Sequence, residues 1–240
     1  MLTLFDEAAQ YQNTRAYHQE TVKRFTDYVN ATPALKAHRD FVEQHVYGFG
    51  ERSFLWMWKL LVDELPPTFR FLEIGVWKGQ ILSLIRLLSA TAEVYGLTRL
   101  DTWSGPKGEF TKFPDRNYRQ DIQDLHDHFA LPMPTLIVGD STDPSCVQEA
   151  QAVGPFDVVY VDGGHEYEVA CQDLRNYAPM VKPGGFLVVD DCSNFLNMYP
   201  GSFPGIRQVS EAVRDVIEPD PQWTHLLAVM HNRVWQRSYD

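Results

Sequence analysis

The fold is decided by one stretch, Phe71-Leu72-Glu73-Ile74-Gly75-Val76-Trp77-Lys78-Gly79, an apolar run that ends in a turn with glycine at two positions. A helical pattern of apolar residues follows at once, from Ile81 to Ser89. Glycine lets the backbone approach a ligand closely, and the N-terminus of a helix presents free N–H groups. Because ligands of open α/β sheets bind at the carboxyl ends of strands, this segment is predicted to form a ligand site.

Short apolar runs recur from Phe69 onward and alternate with longer amphipathic stretches. This alternation predicts βαβ units and a mostly parallel, Rossmann-like α/β sheet. The last two runs lie back to back across His231-Asn232, which predicts a closing antiparallel hairpin. The runs are RFLEIGV (70–76), EVYGLTRL (93–100), PTLIVGD (134–140), FDVVYVD (156–162), GGFLVVDD (184–191), HLLAVM (225–230) and RVWQR (233–237).

The residues before this sheet, from about 15 to 65, carry apolar groups at helical spacing, with breaks at Pro33 and at Gly48 and Gly50. The pattern predicts an N-terminal helical arm or cap over 1–65 and a main domain over 66–240. In the arm, Trp56 and Trp58 are expected to lie in the core or at an interface. The arm is therefore also a candidate surface for forming a homo-oligomer.

Composition narrows the class of protein. The 240 residues are 44% hydrophobic and carry a formal charge of −11 at pH 7. Nucleic acid and anionic membrane surfaces are therefore unexpected partners, and a neutral or cationic small molecule fits better. The 3 cysteines lack the spacing of a zinc site or a disulfide framework. Acidic residues precede any signal-like segment and no apolar run approaches a membrane span, so the expected location is the cytoplasm.

The glycine turn has the spacing E-x-G-x-x-x-G, which differs from the dinucleotide fingerprint G-x-G-x-x-G. It resembles the first motif of the class I S-adenosylmethionine (SAM) dependent methyltransferases. The resemblance implies that Glu73, Gly75 and Gly79 line the cofactor site. The alternative is a glycine turn between strand and helix with no ligand, since such turns are common.

Two further cofactor contacts follow from the same resemblance. Asp101, after the second run, would accept hydrogen bonds from the ribose hydroxyls, and Asp140 with Ser141, after the third, would meet the adenine. Asp101 could equally be a surface-loop aspartate. Asp140 could instead cap the next helix, a role for which Asp143 is an equally good candidate.

The stretch VDGGHEYEVACQDLRNYAPMVKPGGFLVVDD, residues 161–191, is the most specific part of the chain. It resembles a subgroup of metal-dependent small-molecule O-methyltransferases, which includes enzymes acting on antibiotic sugars, and the cephalosporin hydroxylase-like proteins. The resemblance covers roughly residues 69–237. It implies that Asp162, Asp190 and Asp191 are metal ligands, with Asp162 also beside the SAM methyl group, and that His165 is the general base.

The chemistry of these residues agrees with that interpretation. The fourth and fifth strands should be neighbours, so the carboxylates at their ends would converge and repel one another. A bound hard cation would offset this repulsion, and Mg²⁺ is the first choice. Some members of the subgroup carry an acid where this chain has Gly164, and its absence leaves His165 as the base. The alternatives are a helix-start role for His165 and an acidic pair in a polar loop for Asp190 and Asp191.

The sequence thus predicts a Mg²⁺-dependent SAM O-methyltransferase that acts on a vicinal hydroxyl of a sugar or other small metabolite. A nicotinamide oxidoreductase is the second hypothesis, disfavoured by the glycine spacing, and a non-catalytic SAM-fold subunit that assembles through the arm is the third. Two loop-like stretches, 102–118 and 193–205, carry aromatic residues that either wall an acceptor pocket or pack the loops down. These residues are Trp103, Phe110, Phe113, Tyr118, Phe195, Tyr199 and Phe203.

Overall fold

The apolar runs form strands in a computed structural model that describes residues 2–99 and 118–239. The strands are β1 (Arg70–Ile74), β2 (Glu93–Thr98), β3 (Thr135–Val138), β4 (Phe156–Val161), β5 (Val181–Val189), β6 (Trp223–Val229) and β7 (Asn232–Arg237). They make a 7-stranded sheet in the order β3-β2-β1-β4-β5-β7-β6. Strands β1 to β5 are parallel, and β7 runs antiparallel to both of its neighbours. The predicted Rossmann-like sheet and the hairpin at His231 are confirmed.

The helices flank these strands, and the predicted breaks in the arm are found. Pro33 is the first residue of a helix, where its missing N–H costs nothing, and Gly48 and Gly50 lie in the connection to the next helix. The helices are α1 (Leu4–Gln10), α2 (Arg15–Ala31), α3 (Pro33–His45), α4 (Arg52–Asp63), α5 (Gln80–Leu88), α6 (Tyr118–His128), α7 (Pro144–Val153), α8 (Tyr167–Tyr177) and α9 (Arg207–Val216). None of the helices in the described ranges is long and apolar enough to cross a bilayer.

Both faces of the sheet are covered, which explains why its strands are apolar without alternation. Successive residues of a strand point to opposite faces, so Phe71 and Leu72 belong to different apolar clusters. The cluster that contains Phe71 also holds residues of α1, α2, α4 and α5. The other holds residues of α7, α8 and α9.

The N-terminal helices share the first of these clusters with the sheet. Trp58 of α4 is fully buried and packs edge-on against the rings of Phe71 and Tyr160, with centroids at 5.7 and 5.1 Å. Trp56 is also buried. Both tryptophans therefore lie in the core. The boundary at residue 65 and the oligomer through the arm stay predictions.

Gly75 occupies the point where the ends of β1 and β4 approach most closely. Its φ is +95°, and a Cβ atom built there would lie 1.9 Å from the carbonyl oxygen of Asp162. No side chain fits that gap without moving a strand end. The glycine of the turn is thus required by the contact between strands, whatever ligand the turn holds.

We expect Gly75→Ala to destabilise the fold more than Gly201→Ala. Gly201 has a similar φ of +85° but open space around its Cβ position, so alanine there carries only the left-handed strain, about 1 kcal/mol. Gly75→Ala adds a backbone clash of roughly 1–3 kcal/mol. Denaturant unfolding of both variants measures the difference, and equal losses would contradict the steric argument.

Candidate functional site

The candidate site lies at the carboxyl edge of the sheet, where β1, β4 and β5 end side by side. The N–H of Asp162 donates to the carbonyl of Ile74 at 2.8 Å, and the N–H of Asp190 donates to that of Val161 at 3.0 Å. Each aspartate therefore extends the ladder one residue beyond its strand. The predicted convergence of the fourth and fifth strands is confirmed.

Two of the acidic side chains are held by neutral donors. The Tyr160 hydroxyl donates to Oδ2 of Asp162 at 3.2 Å, and the Asn232 amide donates to Oδ1 of Asp190 at 2.5 Å. Burial, followed by the charges of Asp190 and Asp191, raises the pKa of Asp162 well above its usual value. The proximity of the carboxylates therefore disfavours their simultaneous ionisation.

Asp191 adopts a left-handed backbone conformation with φ +53°. The chain can double back at this point because Gly205 lies against it, where a Cβ would come within 2.3 Å of the Asp191 backbone. Burial, and then the charge of Asp190, raises the pKa of Asp191 to about 8. Its carboxylate lies between two imidazoles: Oδ2 is 3.5 Å from Nε2 of His165, and Oδ1 is 3.9 Å from Nε2 of His231.

His165 lies just ahead of α8, and its side chain is 26% exposed. The N-cap of α8 is Glu166, so His165 does not occupy the capping position. Burial lowers the pKa of His165, against the opposing effect of Asp190. A lowered pKa favours the neutral imidazole, which is the form that accepts a proton.

His231 is a site residue that sequence reasoning missed. Among the described residues, Asp190, Asp191 and His231 form a group whose potential ligand atoms all lie within 4.8 Å of one another. Asp162 is outside this group, although it interacts with Asp190. The sequence places His231 in a hairpin turn, and nothing local marks it as chemically active.

The glycine turn lies beside these carboxylates. Glu73 is buried, and burial followed by the charge of Asp190 raises its pKa to about 8. Gly79 has φ +81° and is the N-cap residue of α5, and since glycine has no side chain it provides no side-chain cap for the first N–H groups of that helix. Glu73 lies in β1 just before the turn, and Gly75 and Gly79 lie in the turn between β1 and α5; their contact with a cofactor stays a prediction.

The loop between α3 and α4 closes over this turn. The buried ammonium of Lys78 donates to the carbonyl of Val46 at 2.5 Å, and the Gln80 amide donates to that of Phe49 at 3.1 Å. Arg39 reaches across to Oε1 of Gln80 at 2.7 Å. Helix α3 and the connection to α4 are therefore hydrogen-bonded to the glycine turn and to the start of α5.

The turn after β3 is shaped by Asp140. Its Oδ1 accepts hydrogen bonds from the N–H and the hydroxyl of Thr142, at 2.9 and 2.7 Å. The N-cap of α7 is Asp143, which removes the capping alternative for Asp140. The carbonyl of Ser141 accepts a hydrogen bond from Tyr177 at 2.7 Å. Asp101, the predicted ribose ligand, lies outside the described residues.

The structure describes four of the seven aromatic residues predicted for the two loops, and their role at an acceptor pocket stays a prediction. Phe203 is half exposed and packs on the His231 ring at 5.2 Å, whereas the Tyr199 hydroxyl contacts Sδ of Met230 at 3.3 Å and ties its loop down. Phe195 is partly exposed beside Arg207. The loop assignment of Tyr118 is wrong, because its buried ring begins α6. Trp103, Phe110 and Phe113 lie outside the described residues.

Asp173 of α8 is a second residue that sequence reasoning missed. It is fully buried, and a Cβ on Gly163 would lie 2.5 Å from its Oδ2, so its carboxyl abuts the turn between Asp162 and His165. Burial raises the pKa of Asp173 to about 7, and Ser141 opposes the rise. Helical spacing gives a signal: Asp173 falls on the same face as the buried Ala170 and Tyr177.

A parallel sheet with a glycine turn and converging polar groups at its carboxyl edge defines the class of Rossmann-like proteins that bind a small cofactor at that edge. A family model described as a methyltransferase domain matches residues 72–192, which is half of the chain. The chain belongs to this family. The matched range contains the glycine turn, His165 and the acidic residues of β4 and β5.

Named relatives are similar over a shorter stretch. The demethylmacrocin O-methyltransferase of Streptomyces fradiae is 40% identical over 75 residues, 31% of this chain and 19% of the relative. The 8-demethyl-8-alpha-L-rhamnosyl tetracenomycin-C 2'-O-methyltransferase of Streptomyces olivaceus is 35% identical over 75 residues, 31% of this chain and 20% of the relative. The chain thus spans about a fifth of the length of these curated relatives.

A solved structure with the same fold is the MycE methyltransferase of mycinamycin biosynthesis, in complex with Mg and S-adenosylhomocysteine (SAH). It has a TM-score of 0.51 and 19% identity, over 80% of this chain and 51% of MycE. The predicted fold and family are confirmed. Neither the oxidoreductase nor the non-catalytic subunit is supported by these comparisons.

We expect Asp173→Asn to stabilise the protein increasingly as the pH rises from about 4 to 7. In the unfolded chain the carboxyl ionises near 3.8, whereas in the folded protein burial delays ionisation to about 7. Wild type therefore loses stability across that interval, by a few kcal/mol at most, and the loss levels off above it. Asparagine does not ionise, so the free energy of unfolding of the variant does not fall for this reason.

Denaturant unfolding at several pH values measures this difference. The matched control is Asp27→Asn on the exposed face of α2, which should stay within about 0.5 kcal/mol of wild type throughout. A gap between Asp173→Asn and wild type that does not change with pH would contradict the interpretation.

Proposed function

We propose that this protein is a SAM-dependent O-methyltransferase that methylates a hydroxyl of a vicinal pair on a sugar or other small metabolite. The reaction needs a divalent cation, for which Mg²⁺ is the first choice. The observation that carries the proposal is the cluster of Asp162, Asp190 and Asp191 at the ends of β4 and β5, with the His165 imidazole 3.5 Å from Asp191. The named relatives support it, since both are O-methyltransferases and one name specifies a rhamnosyl 2'-O position.

The residues proposed to hold SAM surround the glycine turn and the turns that follow β3 and β4. Gly75 and Gly79 let the backbone approach the cofactor, and the uncapped start of α5 offers N–H groups. The acidic edge suits a cofactor that carries a positive sulfonium, which supplies the methyl group. These residues are Glu73, Gly75, Gly79, Asp140, Ser141 and Asp162, and the proposed set also includes Asp101, which lies outside the described residues.

Asp162, Asp190 and Asp191 are proposed to hold the cation. Burial and repulsion between the carboxylates raise the pKa of Asp162 and the pKa of Asp191. A bound divalent ion would remove that repulsion. Carboxylate oxygens are the ligands that Mg²⁺ prefers. Such an ion lowers the pKa of a coordinated hydroxyl, so a neighbouring imidazole can accept its proton at neutral pH.

His165 is proposed to be that acceptor. Its neutral imidazole takes the acceptor's hydroxyl proton while the oxygen bonds to the methyl carbon and the carbon–sulfur bond breaks, leaving SAH. The nearby Asp191 carboxylate, 3.5 Å away, stabilises the imidazolium that results. Phe203, half exposed beside His231, is suited to packing on the apolar face of a sugar.

The proposal is tested by binding and by turnover. We expect calorimetry to detect SAM and SAH but no NAD, and we expect SAM to be converted to SAH with glycosides that carry a free vicinal diol. Glycosides that lack one of the two hydroxyls are the control and should react poorly. Chelation should stop turnover while SAM still binds. Binding of NAD with no SAM signal would overturn the proposal.

His165→Ala is expected to keep SAM affinity but lose about 10² to 10⁴ in turnover, the usual cost of removing a positioned base. The matched control is His45→Ala, an exposed histidine of α3, which should be as active as wild type. Turnover of His165→Ala near the wild-type level at pH 7 would assign the base to another group.

A further inference from the structure

We propose that His231 is itself a ligand of the metal site, and that its nitrogen makes the site prefer a transition-metal ion such as Mn²⁺ over Mg²⁺. The inference rests on the proposed function, because it concerns the same site. It changes the expected chemistry of that site from all-oxygen to mixed oxygen and nitrogen.

The distances suit a shared ion. Nε2 of His231 lies 3.4 Å from Oδ1 of Asp190 and 3.9 Å from Oδ1 of Asp191. Ligand atoms about 2.1 Å from one ion lie roughly 3 Å apart when adjacent and about 4.2 Å apart when opposite. Both separations fall within that interval, so small movements would bring the three atoms onto one cation.

The ring has no other evident polar role. His231 is 7% exposed, and its Nδ1 is buried without a hydrogen-bond partner in the part of the chain that the structure describes. An imidazole buried with one nitrogen unsatisfied is unfavourable. The polar contacts that offset this cost are those of Nε2, which faces the two carboxylates.

The surrounding structure fixes the imidazole in that direction. The rings of Phe54 and Phe203 pack edge-on against it, at 4.7 and 5.2 Å. The carbonyl of His231 accepts the N–H of Cys192 at 2.9 Å, which locks the hairpin turn to the residue that follows Asp191. Ring contacts to the side chain and a hydrogen bond to the backbone of His231 therefore both fix the position of Nε2.

The nitrogen decides the metal preference. Mg²⁺ binds oxygen ligands and keeps much of its water, whereas imidazole is a good ligand for first-row transition ions. A site with carboxylates and one well-placed imidazole should therefore bind Mn²⁺ more tightly than Mg²⁺. Carboxylate ligands alone suit Mg²⁺ and Mn²⁺ alike.

The direct test is pulsed electron paramagnetic resonance of the protein loaded with Mn²⁺, which detects a nitrogen bonded to the ion. Because His165 also lies near Asp191, the measurement uses His165→Ala, in which His231 is the remaining imidazole at the site. A ¹⁴N coupling in this variant, which changes to ¹⁵N when histidine is isotopically labelled, is expected. Mn²⁺ bound without any nitrogen coupling would overturn the inference.

Metal titrations give the second test. In His231→Gln, Mn²⁺ affinity should fall by at least about tenfold and Mg²⁺ affinity much less. Asp191→Asn is the matched control, because loss of a carboxylate should weaken both ions to a similar extent. Equal losses of both ions in His231→Gln would show that the histidine only supports the carboxylates. Failure of the proposed function is seen separately, as absence of SAM-dependent turnover.

Discussion

The structure depends on the close spacing of parallel strand ends. Neighbouring strands lie about 4.8 Å apart, so residues that follow β1, β4 and β5 cannot avoid one another. Gly75 fits this narrow space because it has no side chain. Asp162 and Asp190 place their carboxylates at the same edge, where both are partly buried. The same spacing that makes the sheet stable therefore concentrates negative charge at one edge.

That charge is supported from the N-terminal helices. Trp58 packs on Tyr160, whose hydroxyl donates to Asp162, and Phe54 packs on His231, which faces Asp190. Each contact links a residue of α4 to an acidic side chain through one intermediate. The helices that lie outside the matched family range thus hold the polar groups in position from one side of the sheet.

The acidic groups are linked to one another by charge as well as by geometry. Glu73 has its pKa raised to about 8 by burial and Asp190, and Asp191 by burial and the same neighbour. Burial and repulsion therefore both disfavour the ionised forms of these carboxyls in the folded protein. A cation bound at this edge would offset that cost.

The sequence alone determined the strands, the glycine turn and the hairpin, and it placed Asp162, Asp190 and Asp191 at the ends of strands, because each of these features follows from a local pattern. The roles assigned to these aspartates and to His165 stay predictions. The sequence could identify the end of a strand, because a polar residue follows an apolar run there. The family could likewise be inferred from short motifs, since spacing within one turn is fixed by backbone geometry.

Only the tertiary structure decided which distant residues join that edge. His231 meets Asp190 because β7, rather than β6, pairs with β5, and sequence order favours neither arrangement. Asp173 faces Gly163 because α8 packs on one particular face of the sheet. A linear pattern reports periodicity along one segment, whereas distances between segments are set by strand order, register and helix packing, which depend on the whole core.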